Sequence, residues 1–187
     1  MTKNDTDKRS RLIQAAVELV YRQGFQKTTL ADIAQEADVP LGNVYYYFKT
    51  KDAICEAIVE QRLSQFEALR EDWDKAASPK DRLCRFIQMT FNNRGELARG
   101  GCQFGSLCAE LQKAGGPLAK KANRLFAKPF KWIEAQFRTL GKGDDSPGMA
   151  LHLLSALQGV SLLANSFRKP NYVALETDHL NDWVRAL

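Results

Sequence analysis

Between Leu12 and Leu187, segment after segment returns its apolar side chains every three or four residues. A chain patterned in this way buries one stripe per helix. In "RLIQAAVELVYRQG" the inner positions are Leu12, Ala15, Ala16, Leu19 and Val20, and Gly24 is placed to stop the helix. "TTLADIAQEA" opens with Thr29 as N-cap and Asp32 three residues on, a capping-box variant. Ile33, Ala34 and Ala37 form its inner face, and "DVPLG" breaks it. Thr50 and Asp52 begin a helix that runs through Ile54, Ile58 and Leu63 toward Trp73. Ser78-Pro79 starts another, with Leu83, Phe86, Ile87, Thr90 and Phe91 on one face. A shorter helix carries Phe104, Leu107 and Leu111 between glycine breaks. Leu118 to Leu140 reads as one long aromatic helix, kinked at Pro129. Ser146-Pro147 caps an apolar helix that Pro170 ends, and Leu180, Trp183, Val184 and Leu187 make the last stripe. No alternating strand pattern or internal repeat stands out, so the fold class is all-α.

Residues 42–51, "GNVYYYFKTK", place three adjacent phenol rings in one short segment. Successive helical side chains point about 100° apart, so three neighbours fan over more than half the circumference. Val44 and Phe48 share one face and can lock against Ile33, Ala34 and Val39. Tyr45, Tyr46 and Tyr47 then occupy the remaining arc, with Leu41 and Asn43 at the N-terminal tip. A helix of about nine residues, a turn and a second helix is the helix-turn-helix pattern, whose second helix enters the major groove tip first. Asn43 offers a donor and an acceptor to a base edge, and Leu41 can meet a thymine methyl. Phenol hydroxyls reach phosphate oxygens, and Lys51 adds a charge at the far end. The competing reading is a short aromatic helix that serves as core and partner surface.

The segment "GFQKTTLADIAQEADVPLGNVYYYFKTKDAI" resembles the DNA-binding module of the TetR family of bacterial one-component repressors. The resemblance rests on Gly24-Phe25, Thr28-Thr29, Ile33-Ala34, Ala37, Val39, Gly42, the Tyr45–Phe48 run and Lys51. It covers roughly the first quarter of the chain. It implies a helix-turn-helix DNA-binding domain of three helices over 1–50. A helical ligand-sensing and dimerisation domain would fill 51–187. It further implies a homodimer on a palindromic operator. By the same resemblance Thr28, Thr29, Tyr45, Tyr47 and Lys51 touch phosphates, while Leu41, Asn43 and Tyr46 face bases. Leu41 stands where many relatives place a polar reader, and Tyr47 where histidine is frequent.

Composition narrows the rest. The net charge is +5, but residues 94–142 alone carry 10 Lys+Arg against 3 Asp+Glu. The basic surplus therefore lies away from the tyrosines. A solvated basic face is its plainer reading, and an anionic ligand or a long-range pull on DNA is the alternative. Four scattered cysteines without zinc-ligand spacing fit reduced thiols in a cytoplasm. The N-terminus, "MTKNDTDKRSR", lacks the apolar run of a signal peptide. The apolar stretch Met149–Ala164 is shorter than a membrane span and reads as a buried helix. With two histidines, there is no arrangement suited to catalysis, a metal or a cofactor.

Sensing is less tightly specified. "RGGCQFGSLCAEL" resembles a segment in one branch of the family, which includes repressors answering flavonoids or drugs and some answering electrophiles through a cysteine. Cys102 and Cys108 are six apart, about 120° around a helix, and do not readily bridge. Cys102 lies near a helix N-terminus, where the dipole favours a thiolate, so it is the better sensor; a small packing residue is the plain alternative. Phe104, Phe126, Phe130, Trp132 and Phe137 are candidates to line an apolar pocket, or else are core. His152 is a candidate ligand hydrogen-bonder, or else a core or interface histidine. The last two helices hold more apolar surface than one small domain needs and fit a two-fold bundle. Three functions follow: a repressor relieved by a small apolar or aromatic inducer, a thiol-based electrophile sensor on the same scaffold, and a helical adaptor or enzyme without DNA affinity.

Overall fold

The computed structural model describes residues 3–187, and its regular elements are helices throughout. Residues 1 and 2, the start of the expected 1–50 domain, lie outside the described residues. In chain order the helices are α1 (Lys3–Gln23), α2 (Leu30–Glu36), α3 (Leu41–Tyr47), α4 (Lys51–Trp73), α5 (Pro79–Asn92) and α6 (Arg94–Gly100). They continue as α7 (Gln103–Ala114), α8 (Gly116–Ala122), α9 (Arg124–Thr139), α10 (Ser146–Phe167) and α11 (Pro170–Ala186). The chain divides into two units. One holds the described residues up to Ser64 together with Ser106–Leu125; the other holds Gln65–Gly105 and Phe126–Leu187.

In the first unit α1 ends where the sequence places its stop. Gly24 takes φ +88 and its N–H donates to the Val20 carbonyl at 3.0 Å. Thr29 caps α2 through a reciprocal box: its Oγ1 accepts from the Asp32 N–H at 3.1 Å, and the Asp32 carboxylate accepts from the Thr29 N–H at 2.9 Å. Asp38 turns the chain with φ +50, a conformation that a short polar side chain tolerates. Arg11 donates to the Ala37 and Asp38 carbonyls, placing a cation at the C-terminal end of α2. Arg22 adds an ion pair to Glu36 at 2.9 Å.

The second unit is organised around α10 and α11, which pack on each other and on α6; α11 also packs on α5. Its main core joins Phe66, Trp73, Phe86, Trp132, Phe137 and Leu153. Ser78 caps α5 by accepting from the Asp81 N–H at 3.1 Å.

Five local expectations change. The long helix 118–140 is two helices, α8 and α9, with Asn123 between them. Helix α6 arises where no periodic stripe was read, in a segment of only 7 residues. Ser146 is the first residue of α10 and wholly buried, while Asp145 takes the N-cap position. Helix α10 ends at Arg168 in the left-handed conformation, and Pro170 opens α11. Finally, α10 is 22 residues long and apolar enough to cross a membrane by length and composition. It is also not wholly buried: Ala150, Leu153, Leu157, Val160 and Ala164 face inward, while Leu151, Leu162, Leu163 and Phe167 are exposed.

Candidate nucleic-acid interface

The core side of α3 is set by two residues four apart. Val44 and Phe48 are buried, beside equally buried Ile33, Ala34 and Val39. Arg9 lies over the Phe48 ring, 5.3 Å from its centroid. With that face committed, the remaining arc must look out. Tyr46 is 69% exposed, Tyr45 48% and Leu41 41%. Asn43 and Tyr47 are half-buried, and the Tyr46 and Tyr47 rings meet edge to face at 5.0 Å. The first turn of α3 therefore presents Leu41 and Asn43, followed by a rigid pair of phenols.

The flanking residues are placed less uniformly. Thr29 is exposed at the start of α2, with its hydroxyl engaged by Asp32. Thr28 departs from the expected role as a phosphate contact. It is 1% exposed, and its hydroxyl donates to the Gly24 carbonyl at 2.8 Å. It braces the turn instead of facing solvent. Lys51 is likewise engaged. Its Nζ donates to the Gln26 carbonyl at 2.9 Å and lies 4.5 Å from the centroid of the Phe25 ring. One of its three ammonium donors thus holds the turn after α1. Sequence reasoning missed a third participant in this turn, Glu110 on α7. Its two carboxylate oxygens accept from the Phe25 and Gln26 N–H groups at 2.8 and 2.6 Å. Glu110 is 85 residues from Phe25, and no local pattern connects them.

The basic surplus is partly paired. Lys121 and Arg124 bridge Glu56 and Glu60 of α4, and Lys128 pairs with Glu67 at 2.7 Å. Glu67 is held below the ordinary carboxylate range by hydrogen bonds from Lys128 and Arg70. A solvated, ion-paired helix face accounts for these three cations.

The cysteines differ in environment, and all four are free. Burial, reinforced by the neighbouring carboxylates Asp52 and Glu56, pushes the Cys55 thiol up to about 12. Burial also raises Cys84. Cys108 is buried and donates to the Ala122 carbonyl at 3.3 Å. Cys102 is half-buried, immediately before α7, and its Sγ accepts from the Gly105 N–H at 3.4 Å.

Two of the aromatic candidates take the core alternative. Trp132 is a core residue that packs on Trp73 and Phe86, with its indole N–H donating to Asp74 at 3.0 Å. Phe137 is wholly buried beside Trp183. Phe130 packs at the edge of the same core, and Phe104 and Phe126 are half-buried. His152 is exposed on α10 with its ring 4.9 Å from Trp183, so it does not point into an interior pocket. Among the described residues no group of three His, Cys, Asp or Glu side chains could hold a metal ion.

Residues 12–58 match the family model described as "Bacterial regulatory proteins, tetR family". The fatty acid metabolism regulator protein of Bacillus subtilis is 32% identical over 91 residues, 48% of this chain and 47% of that protein. The HTH-type transcriptional repressor NemR of Escherichia coli K12 is 27% identical over 115 residues, 59% of this chain and 56% of NemR. The matched part of the chain thus spans about half the length of these curated relatives. The crystal structure of reduced E. coli NemR has the same fold, with a TM-score of 0.82 at 20% identity, covering 94% of this chain and 96% of that one.

Proposed function

We propose that this chain, whose residues 12–58 match the TetR family model and whose fold is that of reduced NemR, is a dimeric transcriptional repressor of that family in the cytoplasm, released from DNA by a small apolar or aromatic inducer. The observation that carries the DNA reading is the division of α3. Val44 and Phe48 lock its back, and Leu41, Tyr45 and Tyr46 remain in solvent at its front. In a groove, Asn43, Leu41 and Tyr46 read base edges, while Tyr45, Tyr47 and Thr29 hold phosphates. Thr28 braces the turn from inside, and Lys51 contributes to phosphates with the donors left beyond Gln26.

Dimerisation is supported by the outer face of α10 and α11. Leu151, Leu162, Leu163 and Phe167 of α10 and Leu175 of α11 are all exposed. A groove of about 370 Å³ runs between the two helices, lined by Val160, Leu163, Tyr172, Leu175 and His179. A second copy covering this face gives an isologous two-fold bundle, and two recognition helices call for a palindromic site. An inducer acts by favouring a dimer in which those helices no longer match the half-sites, and family-scale coupling of about 1–3 kcal/mol suffices for release.

A second reading, control through a thiol, is favoured by one observation. Cys102 alone combines partial exposure with a backbone N–H directed at its sulfur. The test of both is binding of the full-length protein to duplex DNA from upstream of its own gene, with aromatic compounds or N-ethylmaleimide added. Release by the aromatic compounds supports the inducer reading. Release by N-ethylmaleimide that Cys102→Ser abolishes supports the thiol reading. A protein that shifts no upstream DNA at low salt is not a repressor of this kind, and the helical adaptor takes its place.

A further inference from the structure

The turn joining α1 to α2 is held by a carboxylate from far along the chain, and the location is an unusual one. Phe25 and Gln26 follow the C-terminal end of α1, where the helix dipole is negative and opposes an added anion. Glu110 nonetheless reaches this point and takes both N–H groups, one on each oxygen, at 2.8 and 2.6 Å. Gly24 makes room for it, since a Cβ there would lie 3.3 Å from the Glu110 carboxylate. The other side of the turn is closed by Lys51 on the Gln26 carbonyl and by Thr28 on the Gly24 carbonyl. Helix α2 begins at Leu30, two residues beyond Thr28 and four beyond Gln26, and Lys51 opens α4 just after α3. The turn is therefore the point from which the recognition helix is aimed.

From this geometry we infer that Glu110 is a positioning residue for operator binding, a bidentate latch that fixes the helix-turn-helix module to α7. The inference rests on the repressor reading above and adds to it the residue that orients the reader. Helix α7 begins in the residues of the second unit, next to Cys102, and carries Glu110 in the first. Glutamine in place of Glu110 keeps the shape but offers one acceptor oxygen, and alanine offers none.

The experiment measures the affinity of the full-length wild type, Glu110→Gln and Glu110→Ala for two labelled duplexes of equal length, one from upstream of the gene and one scrambled. In the alanine variant the preference for the upstream duplex falls by roughly tenfold or more, and the glutamine variant lies between it and the wild type. Binding to the scrambled duplex and its salt slope are unchanged, because no phosphate contact has been removed. An alanine variant that keeps the wild-type preference overturns the latch and leaves the repressor reading standing. Parallel loss of both duplexes also overturns it, since that outcome marks a residue needed only for folding. A wild type without preference removes the repressor reading and the latch with it.

Discussion

Among the described residues, two surfaces gather several large exposed apolar side chains, and they differ in the chemistry at the tips. On α3 the exposed groups are Tyr45, Tyr46 and Leu41, on a helix of 7 residues with a polar asparagine among them. On α10 and α11 they are Leu151, Leu162, Leu163, Phe167 and Leu175, on helices of 22 and 17 residues. The phenols end in hydroxyls that donate to anionic oxygens, so that surface suits a wet, charged partner. The leucines end in methyls and gain only by being covered, so that surface suits another protein chain. Apolar exposure alone therefore does not say what a surface suits; the chemistry at the tips does.

The strongest way to break this comparison is to charge the leucine surface. Leu162 is 66% exposed, so Leu162→Glu removes little from the protein's own core. In a dimer the same carboxylate would be buried without a partner. We expect a folded protein that sediments near the 21.1 kDa of one chain. Its affinity for a palindromic site should fall by about a hundredfold or more, as the second half-site no longer adds to the first. A variant that still sediments as a dimer and binds normally would mean that copies meet elsewhere.

A smaller effect is expected on α3. Tyr46→Ala deletes the most exposed ring and leaves Val44 and Phe48 in place. Discrimination between the operator and sites altered under the helix tip should drop by about 1–3 kcal/mol, with weak binding to unrelated DNA retained. The assay is competition between operator and mutated duplexes at fixed salt. Unaltered discrimination would assign Tyr46 to the phosphates and leave base reading to Asn43 and Leu41.

What was legible beforehand follows a physical division. The box of Thr29 and Asp32, the Ser78 cap, the Gly24 stop and the split of α3 into Val44-Phe48 and its tyrosines are set by neighbours within four residues. Helical geometry makes such relations readable in a string. For Thr28, Lys51 and Trp132, neither the family resemblance nor the residue type fixes the partner, which is decided in three dimensions. Thr28 turns inward to Gly24, Lys51 bends onto the Phe25–Gln26 turn, and Trp132 finds Asp74 and Trp73. Glu110 could not be found at all, because its meaning lies in two N–H groups some 85 positions away. For α10 the sequence supports both a buried helix and a surplus apolar face for a second subunit, but hydrophobicity alone does not say which side chains belong to which.

The smallest effect concerns what holds the reader's scaffold, and it has a definite sign. Asp32 is kept below its usual value of 3.8, first by the Thr29 N–H and then by the Thr29 hydroxyl. A carboxylate whose folded value is depressed contributes stability that is complete above the unfolded value and is lost as pH falls through the folded one. The capping box should therefore be intact at neutral pH and weaken only in the acid range below about 4. Asp32→Asn cannot ionise and lacks this dependence. Comparing the acid unfolding of the two proteins by far-UV circular dichroism, we expect the wild type to lose its small advantage over the variant as the pH drops below that range. The leucine surface offers a built-in control, because Leu162→Glu lies outside the box and should leave the contribution of Asp32 untouched. A gap between wild type and Asp32→Asn that persists unchanged at the lowest pH would show that Asp32 acts there without its charge.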